Sequence, residues 1–225
     1  LFFPPDEWIL GAADPGVYVS AGAIIATRGS IVFRSSELAT LEPGVRRALV
    51  AVSTIPSPPG RLPGFYQAFL SFQDGFPRHF TIADDTAVPH AFHLFPSILA
   101  FGYAIGGIRA ELLVTPLLAL TDLAAFYLLI RRLFNTPVAA LASFFLVISP
   151  AEVWFARLPV AEILVQLLIF GGLFAFVALL DEPYPPLAIL AGLALGETHL
   201  AKIETLPLPF LIAGYLVYQV ATYRS

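Results

Sequence analysis

Apolar runs separated by short polar breaks make up the second half of the chain. Leu112–Ile130 and Val160–Leu180 each approach the roughly 20 apolar residues that cross a bilayer as a helix. The shorter apolar runs are His93–Ile105, Pro137–Ser149, Leu187–Leu195 and Leu206–Val220. We expect five spans, or six if the segment 93–105 crosses. The alternative for that segment is a re-entrant or surface helix that ends at Gly106-Gly107.

The first 90 residues carry a different pattern, in which polar and apolar positions are mixed. Pro and Gly are frequent, as in Pro56–Gly60, so this region is too polar to span a bilayer. Frequent aromatic residues, among them Phe65 and Tyr66, argue against a disordered linker. The sequence therefore predicts residues 1–90 as a loop region with helices at the membrane surface, and residues 91–225 as a transmembrane bundle.

A short helix is predicted near the start of that loop region. Asp14 can cap it, Pro15 fits its first position, and Gly29 can end it. Val17, Ile24 and Ile25 form an apolar stripe, which is typical of a helix on a membrane surface. The pattern thus fixes a carboxylate at the head of an amphipathic helix, and the alternative role for Asp14 is a helix cap alone.

The composition agrees with an all-α polytopic membrane protein. The 225 residues are 58% hydrophobic and 12% charged, and the mean hydropathy is +0.81. A net charge of -4 without a basic cluster argues against nucleic-acid binding. The absence of cysteine excludes disulfides and Cys-ligated metals. Because methionine is absent even at position 1, we expect the chain to be part of a longer or processed product.

The few basic residues predict an orientation. Arg131, Arg132 and Arg224 lie in short loops or tails, and the positive-inside rule places such residues in the cytoplasm. In the five-span arrangement the turns 154–159 and 198–204 then face the outside, together with the long loop that carries Asp14. This topology gathers most ionisable residues at one membrane surface.

Two of these external turns carry candidate chemistry. Arg157 precedes Glu162, which begins a helix near the hydrocarbon boundary; there an acid either caps the helix or faces a cavity or a partner. His199 and Lys202 are three residues apart and can share a helical face that binds phosphate. The alternative for Lys202 is a snorkelling side chain paired with Glu204.

A third group lies at the entry to the membrane. A divalent cation could bind to the side chains of Asp84, Asp85, His90 and His93, although their spacing matches no specific metal motif. Arg78 can add positive charge to this group. The sequence predicts no other cofactor. Asp122 is the acid in the middle of a predicted span. Either Thr121 or a neighbouring helix can satisfy it, and we interpret it as part of a structural interhelical hydrogen bond.

Nucleotide-binding and nucleophile-elbow motifs are absent from the sequence. The layout instead offers carboxylates and cations at the boundary between lipid and water. That arrangement suits a substrate with an isoprenoid tail in the bilayer and a phosphate headgroup at its surface.

Several spaced patterns point to a known superfamily. The chain carries, in order, Asp14–Tyr18, Leu94–Pro96, Tyr127–Arg132, Ser149-Pro150, and Ala156-Arg157 followed by Glu162. In this order they resemble the multi-span GT-C glycosyltransferases, which include the dolichyl-phosphate-mannose protein mannosyltransferases and the aminoarabinose transferases. The resemblance covers nearly the whole chain and implies a GT-C-like helix bundle with a long external first loop.

The resemblance also implies roles for individual residues. Asp14 matches the superfamily's catalytic base and Glu162 its second acid, while Arg157 and Lys202 would bind the donor phosphate. His93 stands where relatives often have a lysine, and with Arg78 it completes the expected phosphate ligands. The further candidates are Tyr18, Asp84, Asp85, His199 and Glu204.

The expected activity is inverting hexosyl or pentosyl transfer from a polyprenyl-phosphate sugar to a lipid, glycan or protein acceptor. It would take place at the external face of a plasma membrane of bacterial or archaeal type. The alternative is a transporter or a non-catalytic membrane subunit of the same fold. A transporter should carry polar residues near the middle of the membrane, where the sequence places only Asp122.

Overall fold

A computed structural model describes most of the chain. The described residues are 1–7, 14–31, 33–34, 40, 42, 50–51, 66–67, 70–73, 76–79, 86–87 and 92–223. The helices are α1 (Asp14–Arg28), α2 (Leu94–Leu133), α3 (Thr136–Ile148), α4 (Pro150–Arg157), α5 (Glu162–Asp181), α6 (Pro185–Ala201) and α7 (Leu208–Tyr223). A short 3-10 helix, Ile203–Thr205, lies between α6 and α7. The predicted helical architecture is thereby confirmed.

Short strand pairs occur between α1 and α2. The antiparallel pairs are β1 (Phe33–Arg34) with β6 (Thr86–Ala87) and β4 (Leu70–Gln73) with β5 (Phe76–His79), and the parallel pair is β2 (Val50–Ala51) with β3 (Tyr66–Gln67). Leu70 faces His79 in the register of the longest pair. Each strand has two to four residues, which is shorter than most strands in folded proteins. Within the described residues they form three separate two-stranded pairings.

The chain divides into two compact units. The first, called the bundle unit here, comprises Leu1–Asp6, Phe92–Phe95 and Leu113–Ser225. The second, called the α1 unit, comprises Glu7–Ala91 and Pro96–Leu112. The predicted catalytic residue Asp14 belongs to the α1 unit, whereas Glu162, Arg157 and Lys202 belong to the bundle unit.

Helix α1 has the predicted bounds, but a different face is buried. It runs from Asp14 to Arg28, and Gly29 ends it with a φ of 65°, a conformation that glycine adopts without strain. Its buried positions are Gly16, Tyr18, Val19, Ala21 and Gly22, whereas the predicted stripe of Val17, Ile24 and Ile25 is only partly buried. A side-chain carbon at Gly22 would collide with Leu99 of α2. The small residues therefore line the packed face because they allow close approach.

Helix α2 breaks where the sequence predicts it. Gly106 and Gly107 have non-helical backbone angles, and Gly107 has a φ of 66°. The segment 93–105 therefore forms a helix that is separated by this break from the long apolar run beginning near Leu112. Pro116 lies within the second part and Arg131 and Arg132 lie in its last turn, as the predicted span requires.

Three described helices are long and apolar enough to cross a membrane: Leu94–Leu133, Glu162–Asp181 and Ile203–Thr222. The count becomes four if α3 and α4, which meet at a bend of 63°, form one broken span. The sequence pattern predicts five or six. The difference arises because the two parts of α2 on either side of the glycine break count here as one helix, and because α6 has only 17 residues.

Helix α5 is the central element of the bundle unit. Its 20 residues correspond to about 30 Å, close to the thickness of the hydrocarbon core. It packs closely on α6 at Gly172, where an added side-chain carbon would lie 2.6 Å from Leu195 Cγ. A buried cluster of Phe2, Ala119, Ala156 and Ile163 joins the N-terminal segment to α2, α4 and α5. These contacts fix the helix ends that carry the candidate site.

Candidate functional site

Two ion pairs lie where α4, α5 and α6 end or begin. The Arg157 guanidinium donates through Nη2 to Asp6 Oδ1 at 2.8 Å, and Lys202 Nζ lies 2.6 Å from Glu162 Oε1. All four side chains are partly exposed. We call Asp6, Arg157, Glu162 and Lys202 the boundary cluster. The structure thus brings the predicted Glu162 and Lys202 together, and it adds Asp6, which the sequence did not single out.

Local sequence explains these positions. Pro150 is suited to the first turn of α4, and Arg157 lies in its last turn, where a cation is favoured by the helix dipole. Leu158 and Pro159 follow, and α5 begins at Glu162, an acid in a first turn. Lys202 follows α6 in an extended conformation. Three helix ends therefore place charged side chains at the same end of α5.

The boundary cluster retains unused hydrogen-bonding atoms. Arg157 Nε is buried without an acceptor, and Glu162 Oε2 is buried without a donor. Buried polar atoms usually have a partner in the protein or in ordered water. The boundary cluster thus has one open donor, on Arg157, and one open acceptor, on Glu162.

The N-terminal segment holds Arg157 in place. The Asp6 backbone N–H donates to the Arg157 carbonyl oxygen at 2.9 Å, in addition to the ion pair between their side chains. Phe2, which is 4% exposed, packs in the cluster with Ala156 and Ile163. This segment therefore anchors the end of α4 through both apolar and polar contacts.

The predicted shared face of His199 and Lys202 is wrong. Helix α6 ends at Ala201, and Lys202 has extended backbone angles, so the two side chains do not follow one helical face. His199 Nδ1 instead lies 2.7 Å from Thr205 Oγ1. The alternative pairing of Lys202 with Glu204 is also wrong, because Lys202 binds Glu162 and Glu204 is exposed in the 3-10 helix.

The other predicted site residues among those described are Asp14, Tyr18, His93 and Arg78. In the α1 unit, Asp14 is exposed in the first turn of α1, and Tyr18 is buried one turn later. His93 precedes α2, and burial lowers the pKa of its imidazole, which favours the neutral form. Neutral imidazole is a weaker phosphate ligand than a protonated lysine side chain. Arg78 lies in β5.

The predicted acidic group near the membrane entry lies outside the described residues, since these include neither Asp84, Asp85 nor His90. Within the described part of the chain, no group of three or more His, Cys, Asp or Glu residues is arranged to hold a metal ion. The divalent cation therefore stays a prediction.

A second polar group, inside the bundle unit, was only partly predicted. Gln166 Nε2 donates to Asp122 Oδ2 at 2.8 Å and to Glu152 Oε2 at 2.9 Å. Asp122 is 0% exposed and Glu152 is 5% exposed. We call Asp122, Glu152 and Gln166 the buried triad. It confirms the predicted interhelical hydrogen bond of Asp122, whereas Thr121 bonds to the carbonyl oxygen of Leu118 instead.

The sequence did not single out Glu152 and Gln166 as site residues, because each can be explained without a functional role. Glu152 stands in the first turn of α4, where an acid is expected for dipole reasons alone. Gln166 is uncharged and lies one turn after Glu162. A signal was present in the spacing, since positions 162 and 166 of one helix share a face.

Glu111 is a further acid that the sequence did not single out. It belongs to the α1 unit, is 0% exposed, and both of its carboxyl oxygens lack a hydrogen-bond partner. Its side chain occupies the space beside Gly22 of α1. The sequence pattern does not reveal it, because the predicted apolar span begins one residue later, at Leu112.

Comparison of the chain with family models, curated proteins and solved structures finds no match. The described geometry and the sequence patterns therefore carry the functional argument.

Proposed function

We propose that this chain is part of an integral membrane glycosyltransferase of the GT-C type. It would move a sugar from a polyprenyl-phosphate donor to a lipid, glycan or protein acceptor at the external face of the membrane. The proposal assigns the general base to Asp14 and the donor phosphate contacts to Arg157 and Lys202. Glu162 is the second acid of the site.

The boundary cluster is the observation that carries this proposal. Arg157 and Lys202 each have more N–H donors than their carboxylate partners accept. A phosphate oxygen can therefore join each ion pair, and Arg157 Nε is an open donor for it. Glu162 Oε2 is an open acceptor for a sugar hydroxyl. A phosphosugar supplies both groups in one molecule.

The position of the cluster along α5 favours an amphiphilic ligand. Glu162 begins α5, and Asp181 ends it in an ion pair with Arg132 at 3.1 Å. Charged pairs thus lie at both ends of an apolar helix of about 30 Å, as expected if the helix crosses the hydrocarbon core. A ligand held at Glu162 would have its headgroup at the membrane surface and room for its tail in lipid.

The proposed reaction is a single displacement. An acceptor hydroxyl oxygen attacks the anomeric carbon while its proton passes to the Asp14 carboxylate. The bond between the anomeric carbon and the phosphate oxygen breaks, and its electron pair leaves with the polyprenyl phosphate. The phosphate gains negative charge, which fixed cations stabilise. Attack opposite the leaving group inverts the anomeric centre.

Transfer from labelled polyprenyl-phosphate sugars tests the proposal. Membranes that contain the native chain should release lipid phosphate, and Asp14→Asn should lower the rate by about 10² to 10⁴, the usual contribution of a general base. Asp181→Asn is the matched control, because it removes an exposed carboxyl group at the far end of α5. Full activity of Asp14→Asn would refute the base assignment. Absence of turnover with any donor by folded native protein would refute the transferase.

The second candidate function is a transporter or a non-catalytic subunit. The observation in its favour is the buried triad, which places Glu152 and Gln166 beside Asp122. Polar groups inside a membrane bundle often mark a path for ions or substrates. Uptake of substrate by vesicles in the absence of sugar transfer would support this function over the first.

A further inference from the structure

We propose that Asp122 and Glu152, bridged by Gln166, form a proton-binding site that holds one exchangeable proton inside the helix bundle. The inference concerns the bundle unit alone and does not depend on the proposed transferase.

The geometry of the bridge defines the two carboxyl groups. One amide nitrogen has two hydrogens, and Gln166 Nε2 donates one toward Asp122 Oδ2 and the other toward Glu152 Oε2. The two accepting oxygens are therefore about 5 Å apart. Three helices, α2, α4 and α5, contribute one residue each. The amide thus holds two acids from different helices close together.

The remaining oxygens are enclosed and unused. Asp122 Oδ1 and Glu152 Oε1 are buried and have no hydrogen-bond partner. Because Gln166 occupies the other oxygen of each carboxyl group, a bound proton has two available positions, Oδ1 and Oε1. A proton on either of them leaves both hydrogen bonds from the amide intact.

Charge balance requires a bound cation of some kind. Two neighbouring carboxylates in a buried site repel each other and lose their hydration. Arg157 on α4 binds Asp6, and Lys202 beside the start of α5 binds Glu162. Arg131 lies nine residues beyond Asp122, about 14 Å along α2. Arg132, which binds Asp181, lies ten residues beyond Asp122, about 15 Å along α2. One proton removes the repulsion and half of the buried charge.

The other titratable groups on the same helices have separate surroundings. Glu162 is one turn before Gln166 on α5, about 6 Å along the axis, and it is paired with Lys202. Arg157 is at the opposite end of α4 from Glu152. The neighbour of the triad on α5 is therefore the ion pair of Glu162 with Lys202, which has no net charge. A proton is favoured over a metal ion because the amide presents its nitrogen, a donor that repels metals, to both carboxyl groups.

Infrared difference spectroscopy of the full chain in lipid tests the proposal. A protonated carboxyl group has a carbonyl band that carboxylates lack, and the band shifts when the proton exchanges for deuterium. In the Glu111→Gln background, which removes the other buried carboxyl group without partners, we expect such a band at neutral pH, its loss at alkaline pH, and its absence when Asp122→Asn and Glu152→Gln are added. Glu182→Gln, an exposed acid after α5, should keep the band.

Two results would overturn the inference. In the first, the band is absent at neutral pH and the spectra with and without the added double substitution match in the carbonyl region. In the second, the band disappears when sodium replaces choline at constant pH, which would make the triad a metal-cation site. If the added double substitution prevents folding, the pH titration and deuterium shift of the Glu111→Gln protein decide, because its triad is intact.

Discussion

Glu162 and Gln166 share one face of α5, and the two polar groups built around them differ in how their charge is balanced. In the boundary cluster each carboxylate faces a cation, and the side chains are partly exposed. In the buried triad two acids face an uncharged amide, and both are nearly inaccessible. One turn of helix separates the two arrangements. We therefore propose an ionic ligand for the side chains near the end of α5 and a proton for those further inside.

The boundary cluster and the buried triad should also contribute differently to the stability of the fold. Exposed ion pairs contribute little to stability, because water replaces either partner readily. Enclosed carboxyl groups have no such replacement, so loss of their one partner is costly.

The largest effect is expected from Gln166→Leu. This change leaves Asp122 and Glu152 without their hydrogen-bond donor, and we expect the free energy of unfolding to fall by about 3 to 5 kcal/mol. Denaturant titration in detergent micelles would measure it. The double variant Asp122→Asn with Glu152→Gln should lose less, because Gln166 can still donate to both amide oxygens. Equal losses in the two proteins would contradict the account.

A smaller effect is expected from Gly172→Ala, which tests how α5 and α6 are held together. The new methyl group would meet Leu195 at under 3 Å, so we expect a loss of about 1 to 3 kcal/mol. Gly171→Ala is the matched control, because nothing lies within 4 Å of that position, and it should be neutral or slightly stabilising. Thermal unfolding of the two variants side by side distinguishes packing from helix propensity.

The ion pair of the boundary cluster should show weak coupling. Lys202 and Glu162 are 24% and 30% exposed, so a double-mutant cycle of Lys202→Met and Glu162→Gln should give a coupling energy of about 1 kcal/mol. The same unfolding assay measures it. A coupling as large as the loss in Gln166→Leu would remove the contrast between the two groups.

The smallest effect is a pH dependence from His93. Burial lowers the pKa of its imidazole in the folded state, so the unfolded chain binds a proton more readily. Stability should therefore be full above the ordinary histidine pKa and decline as pH falls below it. His93→Gln should reduce this decline. Unfolding curves at neutral and mildly acidic pH would show it, and identical slopes in both proteins would contradict it.

The sequence predicted the elements better than the contacts. Helix α1, the break at Gly106-Gly107 and the helix beginning at Glu162 follow from capping residues, glycines and apolar length, which act locally. The partners of Lys202 and Arg157 did not follow, because Glu162 and Asp6 are 40 and 151 residues away. The role of Gln166 was not predicted, because nothing in the sequence around an uncharged side chain indicates which acids it contacts.

Binding of polyprenyl phosphate to purified chain in nanodiscs tests most directly whether the boundary cluster holds an anionic headgroup. Arg157 and Arg132 offer a matched pair, since each binds one aspartate but they lie at opposite ends of α5. We predict that Arg157→Gln weakens binding by about tenfold or more, the value of one charge-assisted hydrogen bond, and that Arg132→Gln leaves it unchanged. Equal affinities of native protein and both variants would contradict the assignment of the phosphate to this cluster.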